Sequence, residues 1–370
     1  MSELGISLEE ALQSHWKSQQ EQGKAQAIWR LPHSDQFHLV QSDGQGRKVS
    51  ISDIENLGNG FVAASFAGAV HFIDSAKHFF GTIPIGDCPV FNNQVEVSNA
   101  SKPYFIEWVA KSIEAIQQGH FQKVVLSRTD ETLLPAFDLY EAFLKLAKAY
   151  PNAFVSAFFI PEQGAIWLCA TPEVLVQQNA EGIFKTVSLA GTQTALDPQG
   201  NPISPQQASW TQKEIEEQAF VSRYIIECFK RIRLREYVEN GPKTVLAGNL
   251  MHLKSEFLVD TKTLGVAHLA TNMLEMLHPT SAVCGTPKVE AMGWIAQAEK
   301  HDREMYAGFL GPIGFEQSVN IFVNLRTVKI KNQQATFYAG CGITEDSIPE
   351  KEWEETSMKC RTLKGILMSS

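Results

Sequence analysis

Four apolar runs decide the fold class: Ala153-Phe-Val-Ser-Ala-Phe-Phe-Ile160, Ile166-Trp-Leu-Cys-Ala170, Val174-Leu-Val-Gln177 and Ile183-Phe-Lys-Thr-Val-Ser-Leu189. Each is short, rich in β-branched and aromatic residues, and bounded by Pro, Gly, Asn or Glu, so each reads as a strand. They follow one another with no helical pattern between them. Antiparallel strands predominate and strict β-α-β alternation is absent, which predicts an α+β fold and not a doubly wound parallel one. Upstream, Ser7-Leu-Glu-Glu10 is a capping box for a helix to about Gln20. Short runs such as Gly60–Phe66 and Val70–Ile73 make residues 25–97 mostly strand. A helix follows over Phe105–Gln118, with Ile106, Val109, Ala110, Ile113 and Ile116 as its apolar stripe, then a strand over Lys123–Arg128. Asp138 opens a helix that ends before Pro151. Downstream, Thr211 opens a long helix to about Arg235, and Thr286 with Pro287 at the first helical position opens another to about Glu299. Val319–Arg326 and Ala335–Cys341 read as strands, Gly191–Pro205 as a loop, and Pro349–Leu367 as a last helix.

The bulk properties are those of a water-soluble enzyme-sized chain. Its 370 residues are 44% hydrophobic and 20% charged, and the formal net charge of −9 argues against nucleic-acid binding. Six scattered cysteines with no C-x-x-C pair read as reduced thiols of a cytoplasmic protein. The acidic, polar start does not resemble a signal peptide, and no apolar stretch approaches the roughly 20 residues of a membrane helix.

Several residues carry chemistry. Glu214/Glu217 and Glu352/Glu355 form two E-x-x-E pairs on separate predicted helices, each pair on one helical face. Brought together, such faces make an oxygen-rich site for Mg²⁺; equally, Thr211-x-x-Glu214 is a capping box and Glu355/Lys359 an ordinary i,i+4 ion pair. Lys123 begins an apolar strand, where desolvation would favour a neutral amine able to act as a base; a lysine at a strand mouth also often points to water. Glu173, after Thr171-Pro172, is either a carboxyl made protonated by apolar surroundings or a solvated turn carboxylate. Arg326 lies in an expected alternating strand and suits bidentate carboxylate binding, or else sits on a strand edge. Gly340 and Gly342 flank Cys341 and permit close backbone approach, and His268 precedes Leu269-Ala270-Thr271.

Taken together, these segments resemble the chorismate-utilising enzymes, in particular the isochorismate synthases. The resemblance keeps its order from about Phe105 to Leu363: Lys123-Val-Val-Leu-Ser-Arg128, Ala170-Thr-Pro-Glu173, Leu189-Ala-Gly-Thr192, Lys213-Glu-Ile-Glu-Glu217-Gln218, His268-Leu-Ala-Thr271, Cys284-Gly-Thr-Pro287, Tyr338-Ala-Gly-Cys-Gly342 and Glu352-Trp-Glu-Glu355-Thr-Ser-Met-Lys359. It implies one α+β domain over 1–370 in the anthranilate synthase component I-like, chorismate-binding fold, with facing antiparallel sheets and helices outside. Residues 1–100 would be the variable part and 105–365 the catalytic region. It implies Lys123 as the base that activates water for attack at C2 of chorismate and Glu173 as the acid that protonates the departing C4 hydroxyl. Glu217 and Glu355 would ligate Mg²⁺, with Glu214 and Glu352 supporting. Tyr306, Arg326, the Gly340–Gly342 backbone and Lys359 would hold substrate carboxylates. Gly191, Thr192, His268, Ala270 and Thr271 would border the site.

Within this family, Lys123 and the absence of lysine at Ala190 point to water as nucleophile and to no glutamine amidotransferase partner. The alternatives are a salicylate synthase, which adds pyruvate elimination, a non-catalytic protein that binds a chorismate-type ligand, and an unrelated Mg²⁺ hydrolase. Menaquinone, siderophore and salicylate routes all remain open. A monomer is the default expectation.

Overall fold

The computed structural model describes residues 3–84, 95–197, 201–247 and 250–368. The chain begins with β1 (Glu3–Gly5), then α1 (Leu8–Glu10) and α2 (Lys17–Glu21), joined by a π-helical turn at Ala11–Trp16. The Ser7 hydroxyl accepts from the Glu10 amide at 3.1 Å, as its capping position requires. Six strands follow: β2 (Gln26–Arg30), β3 (Gln36–Gln41), β4 (Arg47–Val49), β5 (Gly60–Ala64), β6 (Val70–Asp74) and β7 (Lys77–Thr82). The middle of the chain carries α3 (Lys102–Gln117), β8 (Lys123–Leu133), α4 (Leu139–Ala149), β9 (Phe154–Ile160), β10 (Ala165–Thr171), β11 (Val174–Gln178), β12 (Ile183–Thr194) and α5 (Gln212–Arg231). The last third adds β13 (Val238–Ala247), β14 (Leu250–Asp260), α6 (Thr261–Leu264), α7 (Leu269–Leu277), β15 (Gly285–Thr286), α8 (Lys288–Ala298), β16 (Phe309–Ile313), β17 (Val319–Val323), β18 (Thr327–Lys331), β19 (Gln334–Ile343) and α9 (Pro349–Leu367).

The strands form two sheets. A ten-stranded sheet runs β1-β7-β3-β2-β9-β10-β18-β19-β8-β15, and a nine-stranded sheet runs β13-β14-β12-β11-β17-β16-β5-β6-β4. Among the described strands every pairing is antiparallel except β1 with β7. The sheets face each other across an aromatic core. Phe154 of β9 stacks on Phe322 of β17 at 4.2 Å, and Phe61 of β5 meets Phe158 of β9 at 6.0 Å. Each such fully buried ring contributes about 1.5–3 kcal/mol, so this layer is what fixes the sheets' mutual position. Helices α3, α4, α8 and α9 cover the outer face of the ten-stranded sheet, with Trp353 of α9 edge-on to Phe105 of α3. The expected α+β class with facing antiparallel sheets is what the chain adopts.

Three local expectations are corrected. The strand expected to run to Arg326 ends at Val323, because there the chain leaves the nine-stranded sheet and enters the ten-stranded one at Thr327. Arg326 sits in that crossing with φ +48°, not in an alternating strand. The segment expected to be loop from Gly191 is strand to Thr194, since a bulge at Gly191 and Thr192 lets β12 go on pairing with β14 through Gln193 and Thr194. Pro287 is the cap before α8 with extended backbone, and the helix starts at Lys288. Thr286 is instead held in β15 by its pairing with Lys123.

Candidate active site

Two of the places where the chain passes between sheets lie side by side. One is Pro172-Glu173, between β10 and β11; the other is Asn324-Leu325-Arg326, between β17 and β18. They bond to each other: the Ala170 amide donates to the Arg326 carbonyl at 3.1 Å, and the Val323 amide to the Glu173 carbonyl at 2.9 Å. This brings an acid and a guanidinium from distant sequence into one cleft at the end of the sheet sandwich. The cleft has an empty volume of about 850 Å³ including its mouth. Lys123 and Val125 of β8, Gly340 and Gly342 of β19, Gly191 and Thr192 of β12, Tyr306, and Glu217, Glu355 and Lys359 from α5 and α9 also line it.

The central groups are buried. Lys123 is 2% and Glu173 6% exposed. Burial disfavours the charged form of each. It lowers the Lys123 amine from its ordinary value, although Glu217 pulls the other way. It raises the Glu173 carboxyl to about 7, with Lys123, Lys359 and Arg326 opposing. Lys123 lies against Gly342: a Cβ there would meet Lys123 Cε at 2.9 Å and Glu217 Oε1 at 3.3 Å. The missing side chain is thus what lets the lysine lie flat beside that carboxylate.

The cations facing the cleft are held in place. Lys359 Nζ donates to the Gly340 carbonyl at 2.9 Å and to Glu355 Oε1 at 2.7 Å, which ties α9 to β19. Its ammonium is raised in spite of burial because Glu355 is beside it. Arg326 Nη2 donates to His252 Nε2 at 3.0 Å, and His252 Nδ1 lies 2.8 Å from the Gly191 carbonyl. A guanidinium can only donate and a carbonyl can only accept, so His252 is neutral with its proton on Nδ1. Burial first and Arg326 second lower its pKa to about 3, in agreement. Tyr306 stacks on Tyr338 at 5.3 Å, and Tyr338 on Trp167 at 5.6 Å, forming a rigid aromatic wall.

The four expected carboxylates gather behind the cleft. Glu214, Glu217, Glu352 and Glu355 line an adjoining cavity open to solvent, and Glu217 and Glu355 form the wall shared by both spaces. Glu214 also fills its capping role, accepting from the Thr211 amide at 2.8 Å. Among the described residues, no group of three or more His, Cys, Asp or Glu side chains is placed to hold a metal ion between them. Mg²⁺ does not need one, since it keeps waters and substrate oxygens beside one or two carboxylates. The donor set is all oxygen, and Glu352 Oε2 is buried without a hydrogen-bond partner, so the residues fit a hard divalent cation.

Three expected residues are not brought here. His268 is exposed at the start of α7 with φ +55°. Ala270 and Thr271 are buried in that helix, where the Thr271 amide donates to Glu55 Oε2 at 2.8 Å. The histidine in the cleft is His252, which the sequence reading missed. The signal was present: His-Leu-x-Ser/Thr occurs twice, at His252-Leu-Lys-Ser255 and at His268-Leu-Ala-Thr271. The pairing of β14 with β12, which sets Leu253 opposite Ala190, decides between them.

Residues 87–368 match the family model described as chorismate binding enzyme. The chain belongs to this family. It is 29% identical to the isochorismate synthase EntC of Escherichia coli K12 over 273 residues, which is 71% of this chain and 66% of that protein. It is also 29% identical to the salicylate biosynthesis isochorismate synthase of Pseudomonas aeruginosa, over 70% of this chain and 54% of that protein. The matches thus span about half to two thirds of these relatives' lengths. In structure, the chain resembles a putative 2,3-dihydroxybenzoate-specific isochorismate synthase, DhbC, from Bacillus anthracis. The TM-score is 0.79 at 22% identity, covering 96% of this chain and all of the other. The anthranilate synthase component I of Streptococcus pneumoniae shares the fold at a TM-score of 0.67 and 18% identity, over 91% of this chain and 89% of that one.

Proposed function

We propose that this member of the family is an isochorismate synthase, which adds water at C2 of chorismate as the C4 hydroxyl departs. The observation that carries the reading is the pair Lys123 and Glu173: two buried groups on one cleft, each pushed by burial toward the state the reaction needs at its start. The neutral Lys123 amine takes a proton from water as its oxygen bonds to C2. The ring double bonds shift, the C4–O bond breaks, and the protonated Glu173 carboxyl gives its proton to the departing hydroxyl, which leaves as water. Solvent then returns a proton to Glu173 and removes one from Lys123, so atoms and charge balance. Arg326 and Lys359 supply positive charge for the substrate's carboxylates, with Tyr306 as a flat wall beside them. Glu217 and Glu355 would hold Mg²⁺, with Glu214 and Glu352 supporting. Bound there, the ion supplies charge neutralisation for a carboxylate of the dianion.

Water as nucleophile accords with an intact Lys123 and with the small Ala190 on the cleft wall; the reading therefore includes no amidotransferase partner. It places the protein in the cytoplasm, as a monomer, ahead of menaquinone or siderophore synthesis. No helix among the described residues is long and apolar enough to cross a membrane.

The test is chorismate with the purified protein, with and without Mg²⁺, products being separated by chromatography. Mg²⁺-dependent isochorismate, mixed with remaining chorismate, is the expected result. Salicylate with pyruvate would move the assignment to a salicylate synthase. Chorismate binding without any product would replace catalysis by ligand binding.

A further inference from the structure

Lys213 stands at the metal cavity without a part in the chemistry above. It lies on α5, just before Glu214, and its ammonium donates to Glu352 Oε1 on α9 at 2.6 Å. The same nitrogen is 3.6 Å from Glu217 Oε1, one turn further along its own helix. A single positive charge therefore joins α5 to α9 through carboxylates taken from both E-x-x-E pairs. A divalent ion held by both pairs would join the same two helices. Glu352 is 1% exposed, and its other oxygen has no partner. A carboxyl so deeply buried needs a counter-charge to ionise, and Lys213 supplies one.

We propose that Lys213 is the protein's own cation for the carboxylate cavity, clamping α5 to α9 until a divalent metal displaces it. Displacement follows from space and charge. The ammonium occupies the Glu352 oxygen and crowds the Glu217 oxygen that face each other across the helices, and two cations cannot share that position. An exit exists, because the Lys213 side chain is 22% exposed and lines a cavity open to solvent. Its flexible four-carbon stem lets the head swing to water while the stem stays on the wall. The clamp gives the metal-free protein an assembled cavity and lowers its apparent metal affinity by the work of moving the lysine. Lys359 is not a second such clamp, since it is also bonded to the Gly340 carbonyl and faces the substrate cleft.

This inference rests on reading the four carboxylates as a Mg²⁺ site, and the experiment separates the two. Mg²⁺ is titrated calorimetrically, without substrate, into the wild type, Lys213→Met, Lys213→Arg and Glu355→Gln, and each is melted in EDTA and in Mg²⁺. Lys213→Met is expected to bind Mg²⁺ at least about ten-fold more tightly than the wild type. It should melt lower than the wild type in EDTA and recover in Mg²⁺. Lys213→Arg keeps the charge and should show no gain in affinity. If Lys213→Met does not fold without metal, Lys213→Gln, which keeps a donor to Glu352 without the charge, carries the same comparison. Mg²⁺ binding that Glu355→Gln abolishes but Lys213→Met leaves unchanged or weakens would overturn the role of Lys213 alone. No Mg²⁺ binding, or binding that Glu355→Gln leaves intact, would overturn the cavity as the metal site and the clamp with it.

Discussion

Arg326 points its guanidinium at the bare nitrogen of His252, 3.0 Å away, and the opposite edge of that ring holds the Gly191 carbonyl. One neutral imidazole thus fixes a cation from the β17–β18 crossing and the bulge of β12. Replacing His252 with Leu leaves a buried carbonyl without a donor and frees the arginine. Such orphaned groups cost about 1–3 kcal/mol each. The expected result is a clear loss of thermal stability and a rise in the KM for chorismate greater than the fall in kcat. His252→Asn, which keeps a donor toward Gly191, should recover part of the stability. An unchanged KM in His252→Leu would mean that Arg326 does not need the ring.

Gly342 sets the path of Lys123. In Gly342→Ala the new methyl would collide with the far end of the lysine, 2.9 Å from Cε, and not with backbone. The side chain can yield, so the fold should survive with a melting temperature close to that of the wild type. The amine, however, is pushed off its line, and a misplaced base loses about 10²-fold in turnover. Normal kcat with an altered melting curve would reverse this reading.

Lys123→Met separates stability from activity. The folded state holds the amine with its pKa lowered by burial, so below the unfolded pKa the lysine costs folding free energy. An apolar chain of similar length removes that cost. The variant should melt higher than the wild type at neutral pH, most visibly as the pH falls, while turnover drops by about 10²–10⁴-fold. Equal or lower stability would show that Glu217 fully compensates the buried amine.

Glu173 gives the protein a pH signature. Its folded pKa of about 7 lies above that of a free glutamate, so folded protein keeps a proton that unfolded chain releases. Its contribution to stability is complete below the unfolded value of about 4.3 and is lost as pH rises through about 7. Glu173→Gln, neutral at every pH, should therefore gain on the wild type as the pH rises through those limits, by up to roughly 4 kcal/mol. Urea melts at pH 4.5, 6 and 8 measure the gap, and a gap that does not grow with pH would rule out the buried, protonated carboxyl. The same variant should lose turnover, since amide nitrogen cannot replace the acid.

Much of the architecture could be read locally. The helix starts at Ser7, Asp138 and Thr211 announce themselves by hydroxyl or carboxylate caps; in the structure the Ser7 and Asp138 side chains accept the expected amides, and at the third start Glu214 accepts from the Thr211 amide. The strand run from Phe154 to Leu189 shows in its β-branched and aromatic residues, and β8 and β19 in theirs. The spacing of Glu214/Glu217 and Glu352/Glu355 placed both carboxylates of each pair on one helix face. Lys123, Glu173, Tyr306, Gly340, Gly342 and Lys359 do meet in one cleft.

What lay beyond reach depended on contacts between residues far apart in sequence. Alternation carried the strand of Val319 on to Arg326, because nothing local reveals that the chain changes sheets after Val323. The crossing exists because Phe322 must stack on Phe154 while Thr327 pairs with Cys169 in the other sheet. Two identical His-Leu-x-Ser/Thr patterns could not be told apart for a similar reason: the register of β14 on β12 turns His252 inward, and the start of α7 leaves His268 in water. The sequence by itself determined which chemical groups exist, their spacing along each helix and strand, and the fold class that their pattern permits. Only the tertiary structure decided which of them share a cleft and which lose their water, because desolvation and sheet register are properties of the packed chain and not of any segment of it.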